Sequence, residues 1–251
     1  MNVLVTGATG MIGTALCQWF EKNNIPHLKL SRNPSGSSKK LVYWNPEEKV
    51  LEHEKLREVD TVIHLAGENV GKRWTHNTRK KILSSRSDSS RFLFEKLAAQ
   101  DSPPKTLIAS SAIGIYGYKN STQFDEESPR GNGFLADVVE AWEESAQPLK
   151  DVGCRVILMR QGLVLSPKGG ALARMLPFFR FGLGGTLGSG QQMMSWIGME
   201  DMIRAILFFL EDDTQSGVYN LVSPKPVSNI EFTTILGWVL KRPTLFPVPA
   251  L

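Results

Sequence analysis

Hydrophobic and polar positions along the chain follow two alternating periods. Short apolar runs recur at Val3–Val5, His27–Leu30, Leu41–Trp44, Thr61–Leu65, Thr106–Ser110, Arg155–Met159 and Val218–Leu221, and these predict strands. Helical periodicity fills the intervals. Ile12, Ala15, Leu16, Trp19 and Phe20 recur at i, i+3, i+4, i+7 and i+8, which predicts a helix over Met11–Asn23. Further helices are predicted at Arg79–Ala99, Leu135–Leu149, Ala171–Phe179, Glu200–Leu210 and Asn229–Leu240. Alternation of this kind predicts an α/β fold, a doubly wound parallel sheet with helices on both faces. Its ligands sit at the carboxyl ends of the strands, where the strand order switches. Ser31–Lys40 reads as a surface loop. Gly182–Gly190 reads as a wall over the cleft or as an ordinary loop.

The first strand runs straight into Thr6-Gly7-Ala8-Thr9-Gly10-Met11-Ile12-Gly13 and then into the first helix. Strand, glycine-rich turn and helix in that order suit a dinucleotide pyrophosphate. Glycine lets the backbone approach the phosphates, and the helix start offers unpaired N–H groups with partial positive charge. Gly7, Thr9, Gly10, Met11, Ile12 and Gly13 are the candidate phosphate-side residues. The second strand ends in Leu30-Ser31-Arg32-Asn33, with no carboxylate to receive ribose hydroxyls. Arg32 suits a 2′-phosphate through charge-assisted hydrogen bonds, and Ser31 can add a donor, so NADP(H) is expected over NAD(H). Small Ala66 and Gly67 allow close backbone approach, and His64 is expected to be packed rather than catalytic.

Composition narrows the picture. The chain has 251 residues, 41% of them hydrophobic, enough for one large α/β unit. No apolar run nears the roughly 20 residues that span a bilayer, and no signal peptide is visible, so a cytoplasmic protein without a membrane partner is expected. Cys17 and Cys154 are expected to be reduced and buried. The net charge of +4 owes much to Lys72, Arg73, Arg79, Lys80, Lys81, Arg86 and Arg91. These lack interleaved aromatics and read mostly as a solvated helix face, not a nucleic-acid surface. The four histidines have no metal-ligand spacing, and no metal is expected.

The G-x-x-G-x-x-G spacing of Gly7, Gly10 and Gly13 resembles the extended branch of the short-chain dehydrogenase/reductase superfamily. Asp60 to Gly67 is similar to its D-x-V-x-H-L-A-A stretch, Arg160 to Leu165 to its R-x-x-x-V-x run, and Gly217-Val218-Tyr219-Asn220 to its G-x-Y-N strand. Trp196 to Met202 resembles W-I-H-I-x-D-L, with Gly198 in place of histidine. Ala66-Gly67-Glu68-Asn69, Lys72-Arg73-Trp74, Ser85-Arg86, Gly133 to Ala136 with Trp142-Glu143, Gly188-Ser189-Gly190 and Pro226 to Asn229 fit one subgroup best. These are the "epimerase family" proteins related to human short-chain dehydrogenase 39U. The resemblance implies a Rossmann fold that binds NADP(H), with Ser31, Arg32, Leu65, Ala66, Gly67, Arg86, Ser110 and Arg160 added to the cofactor contacts. It implies a Rossmann core over residues 1–160 and an interleaved substrate-side region over 161–251, short of the family's C-terminal tail beyond F-x-P-x-P-A. A homodimer through the helices at Arg79–Ala99 and Leu135–Leu149 is a further implication, with Leu93, Leu97 and Trp142 serving either that face or the core.

The superfamily's catalytic set is where the sequence departs. Ser110 to Gly117 resembles S-S-S/T-x-x-V-Y-G, and counting back four from Tyr116 puts Ala112 at the catalytic hydroxyl. The expected Y-x-x-x-K falls on Phe134 and Val138. Phe134 has no hydroxyl and Val138 no amine. Tyr116 and Ser111 are the nearest hydroxyls, and Tyr116 is the candidate catalytic residue. The acidic run Asp125-Glu126-Glu127 reads as a solvated loop or a source of base, and Glu68 and Asn69 as cleft-facing. Two functions follow: an NADP(H)-dependent oxidoreductase or epimerase of unusual mechanism acting on a small molecule, or a non-catalytic NADP(H)-binding or redox-sensing module.

Overall fold

A computed structural model describes residues 2–33, 40–118 and 123–246. Most of the expected Ser31–Lys40 loop and the chain end after Phe246 therefore lie outside the described residues. Strand β1 (Val3–Thr6) leads into helix α1 (Met11–Lys22), followed by β2 (His27–Ser31), β3 (Leu41–Asn45), β4 (Val50–Leu51) and β5 (Thr61–His64). Helices α2 (His76–Arg86) and α3 (Asp88–Ala98) cross to β6 (Thr106–Ala112). Helices α4 (Phe134–Glu144) and α5 (Gln147–Asp151) then cross to β7 (Arg155–Gln161). The rest comprises β8 (Leu163–Leu165), α6 (Gly170–Arg180), β9 (Met193–Met194), β10 (Trp196–Gly198), α7 (Met199–Glu211), β11 (Gly217–Leu221), β12 (Val227–Ser228) and α8 (Asn229–Leu240).

Eight strands form one sheet in the order β4-β3-β2-β1-β5-β6-β7-β11. All neighbours are parallel except β3 and β4. The chain winds outward from β1 to β3, returns, and winds the other way from β5. The switch lies between β1 and β5, where a ligand crevice opens at the strand ends. Strand β11 pairs with β7 in the register Gly217↔Ile157, so the C-terminal region returns to the main sheet. Two short pairs, β8 with β10 and β9 with β12, stand beside it.

Alternate strand residues face opposite sides of the sheet, and the core divides accordingly. Leu4, Val62, Leu107 and Leu158 pack under Phe92, Leu93 and Leu97 of α3 and Leu149 of α5. Val3, Val5, Ile63, Ile108 and Ile157 pack under Leu16 and Phe20 of α1 and Met202, Ile206 and Phe209 of α7. Leu93 and Leu97 are fully buried and Trp142 nearly so. All three are buried within this chain, so core packing accounts for them. Cys17 and Cys154 are buried free thiols, and burial pushes Cys154 up to about 11.

Two predicted helices are each broken in two. The stretch Arg79–Ala99 splits at Ser87, beside hydroxyls that bond back to preceding carbonyls: Ser85 to Ile82, Ser87 to Leu83 and Ser89 to Ser84. Such back-bonding competes with the helix ladder and bends it. The stretch Leu135–Leu149 breaks after Glu144, where the Ser145 hydroxyl bonds to the Trp142 carbonyl at 2.6 Å and Pro148 opens the next helix. The Gly182–Gly190 segment is close-packed. A Cβ at Gly184 would lie 2.6 Å from the Phe179 ring, and one at Gly190 2.3 Å from Ile230 and Thr186.

Candidate active site

The crevice at the switch point is a cleft of about 240 Å³. Its floor is the glycine turn. Gly7 adopts φ +64°, and a Cβ there would strike the Leu65 carbonyl at 2.6 Å. A Cβ at Gly13 would strike the Gly7 carbonyl at 2.3 Å, so only glycine lets α1 approach β1 this closely. No side chain caps α1 and no acidic residue occupies its first turn, which leaves its N–H groups and positive dipole end open to an anion.

Gly7, Thr9, Gly10, Ser31, Arg32, Leu65, Ala66 and Gly67 all line the cleft, so the fold brings together most of the residues expected from sequence. Leu30, Trp44, Pro46, Glu68, Ser85 and Ser89 join them. Trp44 and Pro46 carried no motif, and only their place at the end of a predicted strand and just past it could have drawn notice. Arg32 is exposed at the tip of β2 and makes no ion pair among the described residues. Met11 and Ile12 turn their side chains away from the cleft. Met11 packs against Gly169 and Gly170, and Ile12 packs on the core. Their backbone groups remain at the helix start.

A buried polar chain fixes the strand ends beside the cleft. The Thr6 hydroxyl accepts the N–H groups of Leu65 and Ala66, each at 3.1 Å. Both lone pairs are then occupied, so its proton goes to His64 Nδ1 at 3.0 Å. The His64 Nε2–H in turn donates to Ser90 Oγ at 2.8 Å. His64 is fully buried, and burial, helped by nearby Arg86, pushes its imidazole down to about 3. It is packed and neutral, not catalytic.

Arg86 lies against this edge. A Cβ on Gly67 would stand 3.1 Å from its Cζ. The guanidinium sits 4.9 Å over the Trp142 ring and makes one long hydrogen bond, 3.4 Å, to the Ile82 carbonyl. Burial pulls it down to about 10 against the pull of Glu68. A cation this buried, with no carboxylate partner among the described residues, suits an acceptor brought by a ligand. Together with the glycine floor, it fits a dinucleotide.

Other predicted residues lie elsewhere. Ser110 is buried within β6, opposite Met159 of β7. Arg160, also buried, is held by Glu143 through two hydrogen bonds of 2.8 Å. It donates to the Tyr116 hydroxyl at 3.0 Å and to the Glu126 carbonyl at 3.3 Å. The Glu143 hydrogen bonds hold the Arg160 guanidinium well above its ordinary value. Ser111 donates to Glu143 at 2.5 Å. Tyr116 donates to Asn220 Oδ1 at 2.7 Å, and its ring stacks on Phe124 at 5.2 Å. Glu126 accepts the Asn220 N–H at 2.6 Å and belongs to this network, not to a free loop. Sequence reasoning quoted Glu143 only within the subgroup's Trp142-Glu143 pair and gave it no role, although a carboxylate four residues after apolar Val139 on one helix face was a usable signal.

At the triad positions, Ala112 ends β6, Val138 is buried in α4, and Phe134 packs edge-on against Trp74 at 5.5 Å under Arg79. Of the basic cluster, Lys72 pairs with Glu68 and Arg91 with Glu95. Among the described residues, no His, Cys, Asp and Glu cluster could hold a metal, and no helix is long and apolar enough to cross a membrane. A second cavity, about 570 Å³, opens past the ends of β6 and β11, bordered by Ile113, Tyr116, Phe124 and Asn220.

Comparison with known proteins agrees with this layout. The chain is 38% identical over 249 residues to an epimerase family protein of Mycobacterium leprae, covering 99% of this chain and 80% of that one. It is 36% identical over 252 residues to an epimerase family protein of Staphylococcus aureus, covering 99% and 83%. Its fold matches the crystal structure of the human epimerase family protein SDR39U1 with NADPH at a TM-score of 0.87 and 32% identity, over 99% of this chain and 83% of that one. Residues 3–221 match the NAD dependent epimerase/dehydratase family, and the chain belongs to that family.

Proposed function

We propose that this protein is an NADP(H)-dependent oxidoreductase of the epimerase type that acts on a small molecule without the Ser/Thr, Tyr and Lys set. The observation that carries this reading is Arg32, exposed at the β2 tip and without an ion pair among the described residues, where an NAD-binding unit presents a carboxylate. That the human relative was crystallised with NADPH supports it. Residues 1–160 would hold the cofactor. Gly7, Thr9, Gly10 and the α1 N–H groups of Met11, Ile12 and Gly13 face the pyrophosphate. Ser31 and Arg32 take the 2′-phosphate, Leu30, Trp44, Pro46 and Leu65 wall the adenine, and Arg86 donates beside Gly67. Bound NADPH supplies hydride to an electrophilic carbon.

Residues 161–251 would complete the substrate side. Ala112, Phe134 and Val138 offer no proton there. Tyr116 is the nearest hydroxyl, and it passes a proton only by giving up its hydrogen bond to Asn220. The vacancy also favours a second reading, a cofactor-sensing module without turnover.

Incubation with NADP and a panel of nucleotide sugars and simple alcohols, following nicotinamide absorbance and isomer composition, tests both. Slow or absent turnover of nucleotide sugars is expected, since a positioned acid–base group contributes about a hundredfold to ten-thousandfold. Rapid epimerisation of a nucleotide sugar would contradict the triad-free reading. Silence on every compound, with tight NADPH binding, would favour the sensing module.

A further inference from the structure

The cavity beyond β6 and β11 has a chemical character that narrows its ligand. Ile113, Phe124, Met193, Val222 and Pro224 give it apolar walls, and none of its lining residues is charged among the described residues. Three ionic side chains stand behind this lining, and each is engaged: Arg160 and Glu143 are bound to each other behind Tyr116, with the Arg160 guanidinium 5.2 Å from the ring centre, and the Glu126 carboxylate accepts the Asn220 backbone N–H at 2.6 Å. A nucleoside diphosphate brings charges that need cations or convergent N–H groups. Leaving them unpaired in such a cavity is costly.

Tyr118, Gln123, Ser195 and Ser223 bring neutral polar groups to the border, and Asn220 adds a carboxamide whose orientation its partners fix. Arg160 only donates, so the Tyr116 oxygen accepts from it, and the hydroxyl's single proton goes to the Asn220 side chain. Only the amide oxygen can accept that proton. The orientation of the carboxamide is thereby fixed, with Oδ1 on Tyr116. Nδ2 is left without a partner among the described residues, on a side chain that borders the cavity. Glu126 holds the Asn220 backbone N–H at 2.6 Å and fixes the base of the side chain. The relay Glu143, Arg160, Tyr116, Asn220 therefore ends in a neutral donor on the cavity border, and β6 ends at Ala112, where the usual hydroxyl is missing.

We infer that this cavity binds a neutral, largely apolar carbonyl compound and that the Asn220 carboxamide donates to its carbonyl oxygen. The inference rests on the oxidoreductase reading for its chemistry, but its binding test stands apart. Fluorine NMR line broadening is recorded for 4′-fluoroacetophenone and for its anionic counterpart 4-fluorobenzoate, with and without saturating NADPH. UDP-glucose is then added as competitor.

The ketone line is expected to broaden, the benzoate line to stay sharp, and UDP-glucose to leave the ketone bound. Asn220→Leu should weaken the ketone about threefold to tenfold, the weight of one neutral hydrogen bond, with NADPH affinity unchanged. Met193→Trp, at a half-exposed cavity position, should abolish broadening by filling the space. Equal or tighter benzoate binding, displacement by UDP-glucose, no ketone broadening, an unaffected Asn220→Leu protein, or broadening that persists in Met193→Trp would each overturn it. Failure of a separate NADPH titration would remove the oxidoreductase reading and leave the cavity result to be read on its own.

Discussion

The two sides of the site treat their polar groups in opposite ways. Around β1, β2 and β5 donors stand open: the uncapped start of α1, exposed Arg32, and Arg86, which has no carboxylate partner among the described residues. Around β6, β7 and α4 one chain of polar groups is bonded within itself, from Ser111 and Glu143 through Arg160 and Tyr116 to Asn220. Open donors await a ligand, whereas mutually bonded groups hold a shape. The first side therefore binds, and the second builds a wall with the Asn220 carboxamide at its edge.

Breaking the wall should cost the most. Glu143→Ala leaves Arg160 buried and unpaired, and loss of one partner of a buried pair costs about 3–5 kcal/mol. Urea unfolding should show this loss, and a change under 1 kcal/mol would mean the network is loosely held. On the open side, Gly10→Val should leave the fold intact and abolish NADPH binding, because a branched side chain would stand where the pyrophosphate lies. Its Cβ would be 3.1 Å from the Gly7 carbonyl, which needs only a small shift. Full affinity in the folded variant would refute the site.

The hinge between the two sides is His64, and it gives a smaller, pH-dependent effect. Its pKa falls from an ordinary 6.5 to about 3 in the folded protein. Between those values the unfolded chain binds the extra proton, so stability falls as pH drops below about 6.5, by up to about 1.4 kcal/mol per pH unit. Urea melts from pH 7.5 to 4.5 should show this slope in the wild type and a flatter one in His64→Gln. Equal slopes would place the acid sensitivity elsewhere.

The same contrast governs what was legible in the sequence. Gly7, Gly10 and Gly13 announce themselves because backbone geometry at a strand–turn–helix junction depends on local spacing. Arg32 is legible because it closes the second strand. The network around Tyr116 joins residues 104 positions apart, Tyr116 to Asn220, and no local period records such a contact. Helix breaks at Ser87 and after Glu144 were hidden for a related reason: apolar periodicity persists through a bend, while serine hydroxyls and Pro148 decide where the ladder stops. The short strands β8 and β10 take their identity from each other, in the register Leu163↔Trp196, and not from their own sequences.

The most direct test of an open, phosphate-reading side is a paired titration of NADPH and NADH against wild type and Arg32→Ala. Hydrogen bonds to a charged group contribute about 1.5–3 kcal/mol, or about tenfold to a hundredfold in affinity. Wild type should prefer NADPH by that factor, and Arg32→Ala should lose most of the preference while keeping its NADH affinity. A preference for NADPH that survives the substitution undiminished would contradict the assignment.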